Sequence, residues 1–324
     1  MAAPPATVPA GALPSAELLQ NLEEYRRHAR GAFAPNTARA MRADKRVFQA
    51  WCKGAGVAFL PAAPVTVAAF VDAMAEVKAA ATIRRYVSSI AHMHRAARLP
   101  NPGEAEAVRL ALKRLHRSKG RAQIQAAPLN RRLVDRMLDR PALGLRGLRD
   151  RALLAVAYDT LARRSELVAL LYEDLEPGPD GDGTIAIRRS KTDQEGAGAV
   201  CYLAPDTVRV LRAWTEAAGI TQGPLFRTVD KAGRVGAALD QGYVPRVFKA
   251  LAAAAGVPPG ETARISGHSS RVGAAQDMVR HGVELPAVMQ AGRWRTAEMV
   301  ERYARRLSAR RSGAAKLAML QSRA

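Results

Sequence analysis

Apolar and charged residues recur with a helical period from Ser15 to Arg30 (SAELLQNLEEYRRHAR), and Pro35, Asn36 and Thr37 then open a second helix that runs through Phe48 and Trp51. Further helices are predicted over 65–77, 81–98 and 103–118. Within 81–98, Ile83, Val87, Ile90 and Met93 fall on one side, with Arg84 and Arg85 off it, so a core face and a basic face separate. The stretch SKGRAQIQAAPLN (118–130) breaks the period with Gly, polar residues and Pro128, which predicts a linker over 119–129. Beyond it the pattern gives helices at 130–139, 146–159 and 163–171, then an acidic, Gly-rich turn, EPGPDGDG, at 176–183. TIAIRRSK alternates like a strand and a second short strand fits 199–203, so Lys191 is expected at or near a β-turn of a small antiparallel sheet. Helices return at 205–218, 241–255, 267–281 and 284–291, with another after Thr296. No βαβ alternation is present, which disfavours a doubly wound nucleotide-binding fold, and no internal repeat is found. The expected architecture is mainly α: a flexible tail (1–13), a helical domain (14–118), the linker, and an α-rich domain with a small sheet (130–324).

Length and charge sharpen this picture. A chain of 324 residues exceeds one ordinary core, so two domains are the natural reading. Lys and Arg number 50 against 29 acidic residues, a formal charge of +21, which favours a polyanionic partner, nucleic acid first. A basic surface without a partner is the alternative that composition leaves open. Nine of the 50 basic residues are lysine and the rest arginine, whose planar fork suits phosphates and guanine edges. Cys52 and Cys201 lack disulfide-framework or metal-ligand spacing, which fits a reducing cytoplasm. The opening MAAPPATVPAGALP lacks a basic n-region and a continuous apolar core, so neither a signal peptide nor a membrane anchor is expected. Clustered carboxylates for metal ions and a GxxxxGK[ST] phosphate loop are both missing, so neither Mg²⁺ nor ATP nor any other cofactor is expected.

The candidate chemistry lies in the grouping of basic residues. His268 and Arg271, three apart at a helix start, could hold one phosphate, although HxxR alone also fits a solvent-facing pair. TLARRSELVAL places Arg163 and Glu166 three apart, where a surface ion pair is an equal reading. Trp294 could be a core aromatic or an indole donor. His92 and His94 lie about 200° apart around a helix and cannot share a metal. Tyr25, Tyr86, Tyr158, Tyr172, Tyr202 and Tyr243 lack basic companions in the right order and are expected to be structural.

Taken together, the ordered set TLxRxxEL, SKT, SGHSxRVGAA, MQAGxW and Tyr303 resembles the tyrosine recombinase (phage integrase) family, and the resemblance extends over nearly the whole chain. Two departures, Leu161 where many relatives carry Gly and Trp294 where many carry a second His, are shared with part of that family. The resemblance implies an N-terminal helical core-binding domain and a catalytic domain forming a C-shaped DNA clamp. It implies Tyr303 as nucleophile, Arg163 and Arg271 as phosphate clamps, His268 as base and Lys191 as general acid. Trp294 would donate to a phosphate oxygen and Glu166 would orient His268 or an Arg. Thr37, Arg39, Arg84 and Arg85 match positions that face the major groove or backbone. The implied partner is double-stranded DNA with inverted repeats flanking a spacer, bound as a homotetramer on two sites, in the cytoplasm and at the nucleoid. The amphipathic helix with Leu317, Met319 and Leu320 would dock in a neighbouring subunit. A noncatalytic DNA-binding regulator, or a topoisomerase-like or resolving enzyme, are the alternatives.

Overall fold

The computed structural model describes residues 15–120, 125–188, 198–309 and 312–323. The chain divides into two compact units, Met1–Ile124 and Gln125–Ala324.

The first unit is helical: α1 (Ala16–His28), α2 (Pro35–Ala55), α3 (Pro64–Val77), α4 (Ala80–Ala96) and α5 (Glu106–Lys119). Ser15 caps α1 by accepting from the Leu18 amide at 3.2 Å, and Pro35 starts α2, where its missing N–H costs no hydrogen bond. Phe48, Phe70, Val71, Ile83, Val108 and Leu115 meet in one core. The Phe48 and Phe70 rings lie edge to face, with centroids 4.9 Å apart. His94 is part of this core: its Nδ1 donates to the Ile90 carbonyl at 2.9 Å and its Nε2 accepts from the Ala62 amide at 3.0 Å. The region read as one helix over 103–118 begins instead with a 3₁₀ turn at Pro102–Glu104, capped by the Asn101 side chain.

The second unit contains α6 (Arg131–Leu138), α7 (Gly144–Asp159), α8 (Arg164–Leu167), α9 (Pro205–Ala217), α10 (Val244–Ala254), α11 (Pro259–Ala263), α12 (Ser269–Arg280), α13 (Leu285–Gly292), α14 (Ala297–Ala309) and α15 (Gly313–Leu320). Strands β1 (Leu175–Pro177), β2 (Gly183–Ile187) and β3 (Ala199–Leu203) form an antiparallel sheet in that order, with Leu175 opposite Ile185 and Ile185 opposite Cys201. A separate ribbon pairs β4 (Arg227–Val229) with β5 (Val235–Ala238). Leu153, Leu154, Trp214, Phe226 and Phe248 lie at the centre of the main core. A smaller cluster joins Leu161, Ala275, Val288, Trp294 and Val300, and Tyr303 packs on it.

Three expectations are corrected. The helix predicted over 163–171 is only the short α8, because the next backbone groups pair elsewhere: the Leu170 carbonyl accepts from Leu225 at 2.9 Å and the Tyr172 amide donates to Gly223 at 2.8 Å. The turn predicted at 176–183 begins as strand β1, whose Pro177 stands opposite Gly183. Finally, the sequence pattern missed β4, β5 and α11, which are too short to show a period.

One contact fixes α12. A side chain on Gly273 would put its Cβ 1.8 Å from the Leu129 carbonyl oxygen, so only glycine lets the two backbones cross. The same crossing is tied by the Leu129 amide donating to the Ser269 carbonyl at 2.9 Å. Among the described residues, no helix is long and apolar enough to cross a membrane.

Candidate active site

After α7 the chain bends sharply. Leu161 adopts φ +48, a left-handed conformation that costs a non-glycine residue about 1–2 kcal/mol, yet its side chain is fully buried. This accounts for the position's suitability for glycine, and burial of the leucine in the small cluster offsets the backbone cost. The bend delivers Arg163 as the N-cap of α8 rather than as a mid-helix residue. The Glu166 carboxylate accepts from the Arg163 amide at 3.0 Å and from its guanidinium at 2.6 Å.

Arg271, on the first turns of α12, is 1% exposed. Its two terminal nitrogens donate to the Leu161 and Gly292 carbonyls, and its guanidinium carbon lies 4.8 Å from the centre of the Trp294 ring. Trp294 folds back so tightly over α13 that a Cβ on Gly292 would meet its ring at 2.2 Å. The indole nitrogen is buried and has no hydrogen-bond partner among the described residues, a donor available to a ligand oxygen. Its ring lies 5.3 Å from that of Tyr303, at 32°. Tyr303 is half-buried, and α14 is held at this point by Gln276, whose side chain donates to the Tyr303 carbonyl at 3.0 Å.

Arg163, Glu166, Arg271, Trp294 and Tyr303 therefore form one contiguous set. His268 is exposed at the start of α12, three residues before Arg271. Lys191 lies outside the described residues. Sequence reasoning missed Arg293. Its guanidinium donates to Glu166 at 3.0 Å and reaches the Leu161 carbonyl that Arg271 also engages. The available signal was its place beside Trp294 in GRW. Glu166 orients Arg163 and Arg293.

Three guanidiniums thus surround one carboxylate. Burial pushes the Arg271 pKa down to about 10, helped by repulsion from Arg163 and Arg293 and opposed by Tyr303 and Glu166. Arg271 remains a cation at neutral pH, and a negative charge placed nearby would relieve the repulsion. Burial alone would raise the Glu166 pKa, but the Arg163 amide and guanidinium, with the Arg293 charge, hold it below the ordinary carboxylate value. The cluster is a concentration of positive charge beside a phenol.

In the first unit Thr37, Arg39, Arg84 and Arg85 are all exposed. Arg39 donates to the Asn36 side chain at 2.5 Å. Arg85 pairs at 2.9 Å with Asp44, which is buried across from it on α2 and also accepts from the Ser89 hydroxyl at 2.8 Å. Asp44 too was missed, because an isolated acid in a basic helix reads as a surface residue.

Residues 129–310 match the sequence model of the phage integrase family. The chain belongs to that family and is a tyrosine recombinase. An integrase/recombinase xerD homolog from Selenomonas ruminantium is 36% identical over 211 residues, a match covering 61% of each chain. The recombinase cre of Escherichia phage P1 is 29% identical over 310 residues, 90% of each chain. Two solved structures share the fold. XerH recombinase bound to a palindromic difH substrate has a TM-score of 0.62 at 16% identity, covering 92% of this chain and 95% of that one. The Tn1549 transposon integrase in complex with circular intermediate DNA has a TM-score of 0.63 at 14% identity, covering 89% and 94%. This tyrosine recombinase thus has a relative matched over most of its length and a fold that recurs at low sequence identity.

Proposed function

We propose that this recombinase cuts and rejoins DNA at a specific site through a phosphotyrosine bond on Tyr303. One observation carries the reading: a single unit holds a phenol packed against the indole that covers Arg271, with the Arg163 charge close enough to repel that guanidinium. Attack of the Tyr303 oxygen on a DNA phosphorus forms a P–O bond and breaks the bond to the 5′ oxygen. The extra negative charge of the pentavalent transition state falls to Arg163, Arg271 and the unpartnered Trp294 N–H. His268 takes the phenolic proton. Lys191, assigned by motif alone, supplies one to the leaving 5′ oxygen. A second 5′-hydroxyl then displaces Tyr303, so the bond energy is kept and neither a metal ion nor ATP is needed.

Exchange through a Holliday junction in a homotetramer completes the scheme, and a fold neighbour, lambda integrase, is known as a tetramer bound to such a junction. Docking of α15 into an adjacent subunit fits its outward Leu317, Met319 and Leu320, which are 51%, 74% and 85% exposed. In this reading residues 14–118 bind the arms of an inverted-repeat site, residues 130–324 perform the chemistry, and the protein acts on cytoplasmic, nucleoid DNA. The test uses nicked duplexes cut from the DNA flanking the gene, incubated with the full chain in EDTA. Wild type should form a covalent adduct at Tyr303; a Tyr303→Phe variant that cleaves as fast as wild type overturns the assignment.

A further inference from the structure

The scheme above leaves one guanidinium unused. Arg293 ends α13 at φ +52, where any side chain carries a backbone cost that glycine avoids. Its side chain is nevertheless only 11% exposed and ties three parts of the unit together. Nη1 donates to the Thr160 carbonyl and to the Cys201 sulfur on β3, each at 3.0 Å. Nη2 donates to Glu166 Oε2 at 3.0 Å and to the Leu161 carbonyl at 3.4 Å. A strained backbone persists only where its surroundings over-determine it, and here four contacts do so.

Charge gives the arrangement a purpose. Arg163 and Glu166 alone form a neutral pair, a poor place to receive a phosphate. With Arg293 on the second carboxylate oxygen the trio carries a net positive charge, and Arg271 adds another. We propose that Arg293 is a positioning residue for strand cleavage: it occupies Glu166 so that the carboxylate does not neutralise Arg163, and it pins the Leu161–Arg163 bend on which Arg163 and Arg271 both depend. The inference rests on the Tyr303 chemistry proposed above.

A pH signature separates this role from simple packing. Glu166 is faced by Arg163 from its own turn, Arg293 from the end of α13, Arg271 from α12 and Cys201 from β3. Because its pKa is held low, Glu166 stays ionised and keeps its grip on Arg163 until the pH falls well into the acid range. Removing Arg293 takes away one of the charges holding it low, so Glu166 takes up its proton at higher pH.

Arg293→Gly is the decisive variant, since glycine adopts φ +52 without strain and the fold should survive. On the nicked flanking-DNA duplexes, its adduct formation at saturating protein should slow about 10–100-fold at neutral pH, the scale of a misplaced catalytic group. The Glu166 carboxyl carbon, followed by ¹³C NMR in the DNA-free chain, should titrate at higher pH. Arg293→Lys, which keeps the charge but loses the fork, should recover part of both effects. Wild-type cleavage by Arg293→Gly, an unmoved Glu166 titration, or a lysine variant indistinguishable from glycine each overturns the proposal. If wild type itself forms no adduct, the Tyr303 chemistry fails, while the Glu166 titration still decides whether Arg293 governs that carboxylate.

Discussion

The two units use the same functional group in opposite ways. In the first, Arg39, Arg84 and Arg85 face solvent, and Arg85 is half exposed although its partner Asp44 is buried. In the second, the side chains of Arg163 and Arg293 are 17% and 11% exposed, and Arg271 is sealed in. Exposed cations act through a field that salt screens, which suits the capture of a long polyanion. Buried, hydrogen-bonded cations cannot reorient, which suits charge that develops at one point during a reaction. Affinity for DNA and the rate of cutting should therefore respond to different arginines.

The sharpest way to break this division lies at the nucleophile. Tyr303→Phe should bind DNA like wild type yet lose adduct formation by about four orders of magnitude or more, the scale of removing a nucleophile, as read on denaturing gels. Next comes Arg271→Ala, which strips a cation from the proposed phosphate site and removes one donor each from the Leu161 and Gly292 carbonyls. Cleavage should fall about 10²–10³-fold and stability by about 2–4 kcal/mol, measured by adduct rate and denaturant unfolding. Asp44→Asn should cost about 1–2 kcal/mol of stability and loosen Arg85. Its binding-site preference, read by selection from a randomised DNA pool, should broaden while cleavage of bound DNA is unchanged. The smallest effect belongs to Arg84→Ala: the slope of log affinity against log salt should drop by about one phosphate contact, with no change in the cutting rate.

Much of this is legible in the amino-acid sequence. The stripe of Ile83, Val87, Ile90 and Met93 fixes the inner face of α4, and all four are buried. The motif residues Arg163, Glu166, Arg271, Trp294 and Tyr303 stand out through their joint resemblance to a family pattern, and they meet. What stayed hidden depends on partners distant in sequence. The apolar run at 167–170 looks helical until its neighbours find backbone partners at 223–225. Arg293 acquires meaning only when Glu166, Thr160 and Cys201 arrive beside it, and Asp44 only when α4 brings Arg85. Periodicity reports a residue's own element, whereas an ion pair reports two.

The backbone crossing at Gly273 bears on how such a protein can be retrained toward new targets. Random mutagenesis followed by selection would harvest changes around Arg84 and Arg85, where side chains project into water. Replacements at 273 would be weeded out in every round, although that residue has no side chain with which to meet a base. Evolvability in this chain is thus bounded by a steric seam in one unit as firmly as by chemistry, while the exposed face of α4 in the other is left free to drift.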